Sequence, residues 1–234
     1  MSDSQLAKQL DEEDDIFYPD SDGQLMADNT KQFDWITNIV QNLRTQFQDQ
    51  PDVFVAGDLL WYPVKGHDKI KRAPDVMVAF GRPKGHRGSY QQWKENQIAP
   101  QVVFEIRSPG NTDGEMVDKF QFYQDYAVEE YYMYDPETGQ LKGWIRGGNR
   151  LHPIVAMSGW KSPRLGIRFE WVERELSLYH PDGSRFTSHQ EESKARLAAE
   201  QRAEANQAKL DRLEALLAQK GLSLTDLLAQ NESP

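Results

Sequence analysis

Apolar residues in the first third of the chain are spaced first as in a helix and then as in buried strands. Between residues 29 and 48 they recur every three or four positions, which predicts an amphipathic helix with Thr30 as its N-cap. Residues 53–62 and 76–80 are short apolar runs typical of strands. Gly57 lies within the first run, and we interpret it as the site of a β-bulge. The apolar positions of the helix are Phe33, Ile36, Ile39, Val40, Leu43 and Phe47.

The middle of the chain predicts a strand, a helix and another strand, followed by a series of short strands. The run Val102–Ile106 precedes a Ser-Pro-Gly-Asn turn, a helix over 113–126 and a strand over 130–134. Four later segments, separated by turns rich in Gly and Pro, predict an antiparallel meander. These segments are 141–146, 150–155, 166–172 and 176–179. The segment 81–98 is interpreted as a long loop or lid.

Both ends of the chain differ in composition from the middle. Residues 1–28 are polar and contain five consecutive acids at 11–15, which predicts a disordered or loosely attached arm. Residues 188–220 are rich in Ala, Glu, Gln, Lys, Arg and Leu and predict a long helix, with a coiled coil as one option. Gly221 would end it, and 222–228 would form a short last helix. We therefore divide the chain into an arm (1–28), a main domain (29–187) and a helical C-terminal extension (188–234).

The net charge of −10 is distributed unevenly along the chain. Residues 1–50 carry 11 acids and 3 bases, whereas residues 51–188 carry 18 of each. Within that neutral middle, residues 65–94 contain eight bases and two acids. This local excess is compatible both with a surface that binds a polyanion and with an ordinary solvated surface.

Several classes of protein are excluded by what the sequence lacks. The chain has no cysteine, so a disulfide framework and a cysteine-based zinc site are excluded, and its five histidines show no metal-ligand spacing. No apolar run approaches the roughly 20 residues that a membrane span requires. The N-terminus lacks the pattern of a signal peptide. We therefore expect a cytoplasmic protein without membrane contact.

Two acids and one lysine form the main candidate for a catalytic site. Asp75 precedes the strand over 76–80 and Glu105 lies within the next strand, so strand alternation gives each a defined face. On the following helix, Lys119 lies about 60° around the axis from Met116. Two carboxylates can hold Mg²⁺ while water and a substrate phosphate complete its oxygen shell. A lysine beside them can orient the attacking water or stabilise charge on the phosphate, so the pattern favours a divalent-metal hydrolase.

Each of these residues also has a structural interpretation. Glu105 could pair with Arg107, which shares its strand face. Lys119 could pair with Glu115 at the favourable i,i+4 spacing of a helix. Asp75 could cap a turn. These alternatives stay open at the level of the sequence.

Three further features bear on the chemistry of the site. Asp58 could supply a third acid to a metal, although a role in a bulge or turn is the preferred interpretation. Tyr123 is interpreted as a core residue. The Gly-rich segment 81–88 lacks the spacing of a phosphate-binding loop and a following Lys-Ser/Thr, which excludes that mode of nucleotide binding.

The same residues resemble those of a known family. The chain resembles the PD-(D/E)XK nuclease superfamily, and within it the Uma-type branch of restriction-endonuclease-like proteins, over about residues 30–185. The motifs that carry the resemblance are Pro74-Asp75, Glu105-Ile106-Arg107, Ser108-Pro109, Lys119 in a helix that reaches Phe122-Tyr123, and the strand 129–136 with sequence EEYYMYDP.

The resemblance implies both a fold and an activity. It implies an α/β (α+β) fold with a mixed β-sheet core flanked by helices, Mg²⁺- or Mn²⁺-dependent phosphodiester hydrolysis, and often a dimer. In this branch a helix lysine takes over from the lysine of the third motif, and Lys119 matches that position. Arg107 is a departure, because the branch usually has an apolar residue there. Arginine does not act as a general base, but it can stabilise charge on a phosphate.

Our leading hypothesis is a metal-dependent endonuclease that acts on nucleic acid, with DNA favoured, as a homodimer or higher homo-oligomer. Asp75, Glu105 and the carbonyl of Ile106 would hold the metal, and Lys119 would act on the attacking water. Arg107 and the loop 82–94 would lie along the nucleic-acid backbone. The basic residues of the loop that would contact it are Arg82, Lys84 and Arg87. The rival is an inactive nuclease-fold module for binding or assembly, and a weaker third hypothesis is a hydrolase of another phosphodiester.

Overall fold

The structure, a computed structural model, describes residues 16–23, 26–172 and 175–219. The chain divides into two compact units, 1–186 and 187–234. The three-part division predicted from composition stays a prediction. The first unit contains helices α1 (Thr30–Gln46) and α2 (Asp113–Asp125) and a 3₁₀ turn (Gln92–Lys94). Its strands are β1 (Val53–Ala56), β2 (Trp61–Tyr62), β3 (Val76–Phe80), β4 (Tyr90–Gln91), β5 (Val102–Ile106), β6 (Glu130–Asp135), β7 (Gln140–Gly147), β8 (Arg150–Pro153), β9 (Arg168–Val172) and β10 (Glu175–Tyr179).

A mixed six-stranded sheet forms the centre of this unit, as predicted. Its strand order is β1-β3-β5-β6-β7-β8, and only the β5–β6 pair is parallel. Helix α2 makes the crossover between those two parallel strands, which is the usual role of a helix between parallel neighbours. The mixed α/β fold class is therefore confirmed.

Strand alternation divides the apolar side chains of the sheet into two cores. On one face, α1 packs with residues such as Val76 and Phe104. On the other face, α2 packs with residues such as Met77 and Val103. Since both faces are covered, the central strands are apolar at almost every position, and this explains why β3 and β5 read as continuous apolar runs. A charged residue on the α2 face, such as Glu105, is therefore buried.

Three predicted elements differ from the structure. The run 53–62 is not one bulged strand, because the chain leaves the sheet at Gly57 and Asp58, and β2 pairs instead with β4. A Cβ on Gly57 would lie 3.0 Å from Val40 Cγ2 and 3.2 Å from the Asp75 carbonyl oxygen, so a larger residue would be crowded in this turn. The N-cap of α1 is Asn29 rather than Thr30, because the Asn29 side chain accepts the N–H of Gln32 at 2.8 Å.

The third difference concerns the predicted four-stranded meander. Strands β7 and β8 continue the central sheet, but β9 and β10 form a separate two-stranded sheet, with single bridges from Arg168 to Lys161 and from Tyr179 to Arg185. Phe169, Leu176 and Leu178 of this second hairpin are buried in the α1-side core. Their apolar side chains are covered there, which accounts for the separation of the hairpin from the edge of the sheet.

The described part of the N-terminal segment contacts the domain through Tyr18. Its hydroxyl accepts the N–H of Gly66 at 2.6 Å, and its ring lies against those of Tyr62 and Trp93. The Tyr62 hydroxyl in turn donates to the Pro19 carbonyl at 2.8 Å. The acidic run 11–15 lies outside the described residues.

The second unit is described as one helix, α3 (His189–Gln219). Four of its leucines, Leu197, Leu210, Leu213 and Leu216, are about half exposed. The predicted end at Gly221 and the short helix over 222–228 lie outside the described residues, and the coiled coil stays a prediction. Within the described ranges, no helix is both long and apolar enough to span a bilayer.

Glu95 fastens the loop between β3 and β5. Its carboxylate accepts Arg82 Nε at 2.8 Å and Arg87 Nε at 2.7 Å, and all three side chains are only 10–12% exposed. Replacing Glu95 by alanine would leave two largely buried guanidinium groups unpaired. We expect the free energy of unfolding to fall by about 2–3 kcal/mol, somewhat less than for a fully buried pair.

Urea denaturation measures this loss, and Glu129→Ala provides the control. Glu129 pairs with Arg164 at 2.6 Å, but these side chains are 36% and 42% exposed. Its removal should cost less than about 1 kcal/mol. Equal losses in the two variants would contradict a specific role for Glu95.

Candidate active site

Two buried carboxylates face each other where β3 begins and β5 ends. Val76 pairs with Phe104 and Met77 with Val103, so continuing this register by one residue places Asp75 opposite Glu105. Asp75 Oδ2 accepts the N–H of Ile106 at 2.6 Å, which fixes its carboxylate against β5. Glu105 is 1% exposed and Asp75 is 9% exposed. The structure therefore brings the two predicted acids together.

Both oxygens of Glu105 receive hydrogen bonds from α2. Lys119 Nζ lies 2.5 Å from Oε2, and the Tyr123 hydroxyl donates to Oε1. These donors lie one helical turn apart and therefore on the same side of α2. The helix itself begins in a capping box, in which Thr112 Oγ1 accepts the Glu115 N–H and the Glu115 carboxylate accepts the Thr112 N–H.

The structural alternatives considered for these residues are not the pairs that form. Arg107, one residue beyond β5, pairs with Asp113 at 2.6 Å, whereas Glu105 pairs with Lys119. Glu115 caps α2, while Lys119 pairs with Glu105. Arg107 therefore leaves the Glu105 carboxylate to the donors of α2.

Gln32 is a site residue that sequence reasoning missed. Its side-chain N–H donates to the Ile106 carbonyl at 2.7 Å, while its oxygen accepts the N–H of Asp28 at 2.8 Å. Gln32 is 6% exposed and lies in the first turn of α1, which the sequence marked only as a packing helix. Gln32 therefore fixes the Ile106 carbonyl, which our leading hypothesis names as a metal ligand.

The acid pair changes the protonation behaviour of its surroundings. Burial, followed by the nearby Glu105 charge, raises the pKa of Asp75 well above its usual value. For Lys119, burial lowers the pKa, but the carboxylates of Glu105 and Asp75 outweigh it and raise the pKa above the usual value. Lys119 is therefore a cation at neutral pH. Burial also raises the pKa of Tyr123, so its hydroxyl stays a proton donor.

The donor set of the site fits a hard divalent cation. Two carboxylates are buried here beside one lysine, and a bound cation would counteract the burial and the Glu105 charge that raise the pKa of Asp75. With the Ile106 carbonyl they offer only oxygen donors, as Mg²⁺ and Mn²⁺ prefer. No group of three or more acidic or histidine side chains suited to a metal occurs in the described residues, so Asp58 does not complete such a group. Mg²⁺ commonly binds one or two carboxylates and keeps several waters.

Asp75 and Lys119 line a cleft of about 510 Å³. Asp58 also lines it, with a pKa raised by burial and then by the charge of Asp22. The structure does not bring Arg82, Lys84 or Arg87 to this cleft. The two arginines are held by Glu95, and Lys84 Nζ donates to the Phe47 and Gln48 carbonyls at 2.7 and 2.6 Å. These contacts hold the loop, and the role of the three residues on a nucleic-acid backbone stays a prediction.

Comparisons with known proteins agree with the resemblance drawn from the motifs. The model of the Uma2 family, described as "Putative restriction endonuclease", matches residues 4–178. A crystal structure described as that of a "putative nuclease belonging to DUF820", from Anabaena variabilis, is 13% identical. The match covers 58% of this chain and 72% of that one, with a TM-score of 0.43. No curated protein matches the sequence. Since the family model spans well over half of the 234 residues, the chain belongs to the Uma2 family.

Proposed function

We propose that this protein is a metal-dependent endonuclease that hydrolyses phosphodiester bonds in nucleic acid, with DNA as the favoured substrate. The observation that carries the proposal is the buried Asp75–Glu105 pair, bonded to Lys119, in a cleft of a Uma2 domain. Asp75, Glu105 and the Ile106 carbonyl would hold Mg²⁺ or Mn²⁺. When bound, the metal supplies an activated water and neutralises charge on the phosphate.

Lys119 is the proposed catalytic cation. Its side chain is 22% exposed, so the ammonium reaches from the buried Glu105 carboxylate to the cleft. Since its pKa is raised, it acts as a donor of hydrogen bonds and not as a base. It orients the attacking water and stabilises the negative charge that develops on the phosphate oxygens.

The other polar residues of the site act by positioning. Tyr123 holds the second oxygen of Glu105, and the Ile106 N–H holds Asp75. Gln32 holds the Ile106 carbonyl from α1. The donors come from two helices and one strand, all packed in the cores of the domain, so the ligand oxygens are held in place before a metal arrives.

Cleavage by the unsubstituted protein tests the proposal directly. Supercoiled plasmid and short DNA and RNA substrates would be incubated with Mg²⁺, Mn²⁺ or EDTA, with calorimetric titration of Mn²⁺ in parallel. We expect phosphodiester cleavage with either metal, none in EDTA, and a saturable heat of Mn²⁺ binding. Cleavage that persists in EDTA would contradict the proposed dependence on a metal. The absence of cleavage with every substrate would contradict the proposed nuclease activity.

The alternative is an inactive module of the same fold that serves binding or assembly. Its main motivation was an Arg107–Glu105 pair, and Arg107 pairs with Asp113 instead. The half-exposed leucines of α3 still favour assembly through this helix, and we propose a homodimer or higher homo-oligomer on that ground. The cytoplasmic location stays a prediction from the sequence.

A further inference from the structure

The loop between β2 and β3 brings three cations to one edge of the cleft. Lys69, Lys71 and Arg72 line the same cavity as Asp75 and Lys119. None of the three has a carboxylate at ion-pair distance among the residues that the structure describes. In this respect they differ from Arg82 and Arg87, which both pair with Glu95. The edge thus presents positive charge without a carboxylate partner among the described residues.

Two of the three cations are held in place by the protein. The backbone of Arg72 exchanges hydrogen bonds with Trp61, at 2.8 and 3.2 Å. Its guanidinium lies 5.5 Å from the centroid of the Phe122 ring, and Lys71 Nζ lies 5.6 Å from that of Tyr62. These aromatic supports reduce the side-chain entropy that binding an anion would cost. A surface lysine that serves only for solubility would not need such support.

Acids also line the cleft. Asp58, Glu115 and Asp118 are among them, so a polyanion would be attracted by the three cations and repelled by these carboxylates. The same three cations also line a second depression of about 340 Å³, together with Phe122, Asp118 and Asp125 of α2. The cations therefore lie where the two depressions meet.

We propose that Lys69, Lys71 and Arg72 form the phosphate-binding edge of the cleft. They bind the backbone phosphates of one nucleic-acid strand beside the scissile bond, and that strand crosses the edge between the two depressions. This inference rests on the proposed nuclease function and deepens it, because it assigns the substrate path to the 69–72 loop. The contacts are to phosphate and therefore carry no sequence preference.

The dependence of DNA binding on salt tests this edge. Labelled duplex DNA would be titrated with the full chain in EDTA between 50 and 200 mM KCl, with fluorescence anisotropy as the readout. Each phosphate contact contributes about 0.9 to the slope of log affinity against log salt. In Lys69→Ala/Lys71→Ala we expect the slope to fall by about 1.8. The control, Lys142→Ala/Lys161→Ala, removes the same charge from exposed lysines outside both depressions and should keep the slope.

Every outcome of this experiment decides the proposal. Equal slopes for the two double variants, or no binding by the unsubstituted protein, would overturn it. If the double variant does not fold, the exposed Lys69→Ala alone should lower the slope by about 0.9, and an unchanged slope there would overturn it too. If the unsubstituted protein cleaves DNA but the salt slope of the double variant is unchanged, the nuclease proposal stands and the phosphate-binding edge is wrong. If the slope falls as expected but no cleavage occurs in Mg²⁺ or Mn²⁺, the phosphate-binding edge stands and the nuclease proposal is wrong.

Discussion

Glu105→Gln is expected to abolish Mn²⁺ binding and to lower the rate of metal-dependent cleavage by about a thousandfold. The glutamine has the same size, and its oxygen can still accept the Tyr123 hydroxyl, so the fold should be kept. It has no negative charge, however, so the ionic partner of Lys119 and one of the two proposed carboxylate ligands are lost together. Calorimetric titration and plasmid cleavage measure the two losses separately.

The control for this substitution is Glu115→Gln. Glu115 lines the same cleft, and a glutamine can take over its part in the capping box. The chemical change is identical, so the control corrects for a general loss of negative charge in the cleft. We expect cleavage and Mn²⁺ binding to stay close to those of the unsubstituted protein. A Glu105→Gln protein that cleaves as fast as this control would show that Glu105 is not a ligand.

The acid pair and the lysine could be predicted because each lies on a regular element. The antiparallel register of β3 and β5 places Asp75 opposite Glu105. The helical period of α2 places Lys119 beside the apolar side of that helix, which faces the sheet. The helical period could also have placed Tyr123 in the site, because a residue four positions after Lys119 lies on the same side of the helix. We interpreted that tyrosine as core, and it is buried, but its hydroxyl also belongs to the site.

Contacts between distant segments could not be predicted in this way. Gln32 lies 74 residues before Ile106 in the sequence, and nothing local distinguishes it from other polar residues of α1. The partners of the basic residues could not be predicted from the sequence either. The excess of basic residues over 65–94 is visible in the sequence, but Arg82, Arg87 and Lys84 are held by Glu95 and by carbonyl groups at the end of α1, which lie elsewhere in the chain. The sequence therefore suggested the loop 82–94, whereas the cations of the cleft lie at 69–72.

A conflict between activity and stability follows from the same geometry. Asp75 and Glu105 are buried together, and this arrangement raises the pKa of Asp75, so its ionised form is destabilised by folding. A group whose pKa is raised on folding contributes stability below its unfolded pKa, and this stability is lost as the pH rises through the folded pKa. The site therefore weakens the metal-free protein as the pH rises from acid towards neutral, and a bound cation would reverse that effect.

Asp75→Asn should therefore stabilise the metal-free protein while it removes the proposed cleavage activity. The amide oxygen can still accept the Ile106 N–H, but the residue no longer ionises beside Glu105. In EDTA, we expect the melting temperature of the variant to exceed that of the unsubstituted protein. The difference should grow with pH from about pH 4, the usual pKa of an unfolded aspartate, by at most about 1.4 kcal/mol per pH unit. Cleavage in Mg²⁺ should fall by about a hundredfold or more, because a ligand has lost its charge.

Thermal unfolding between pH 4 and pH 8, with EDTA and then with Mn²⁺, checks both parts of this prediction. Asp118→Asn serves as the control, because Asp118 lines the same cleft but is exposed. The control should follow the unsubstituted protein at every pH. Mn²⁺ should raise the melting temperature of the unsubstituted protein and of the control, but much less that of Asp75→Asn. An Asp75→Asn protein that is less stable at pH 8 in EDTA would mean that the Asp75 carboxylate holds the fold together, and the site would then be a structural ion-pair network without a metal.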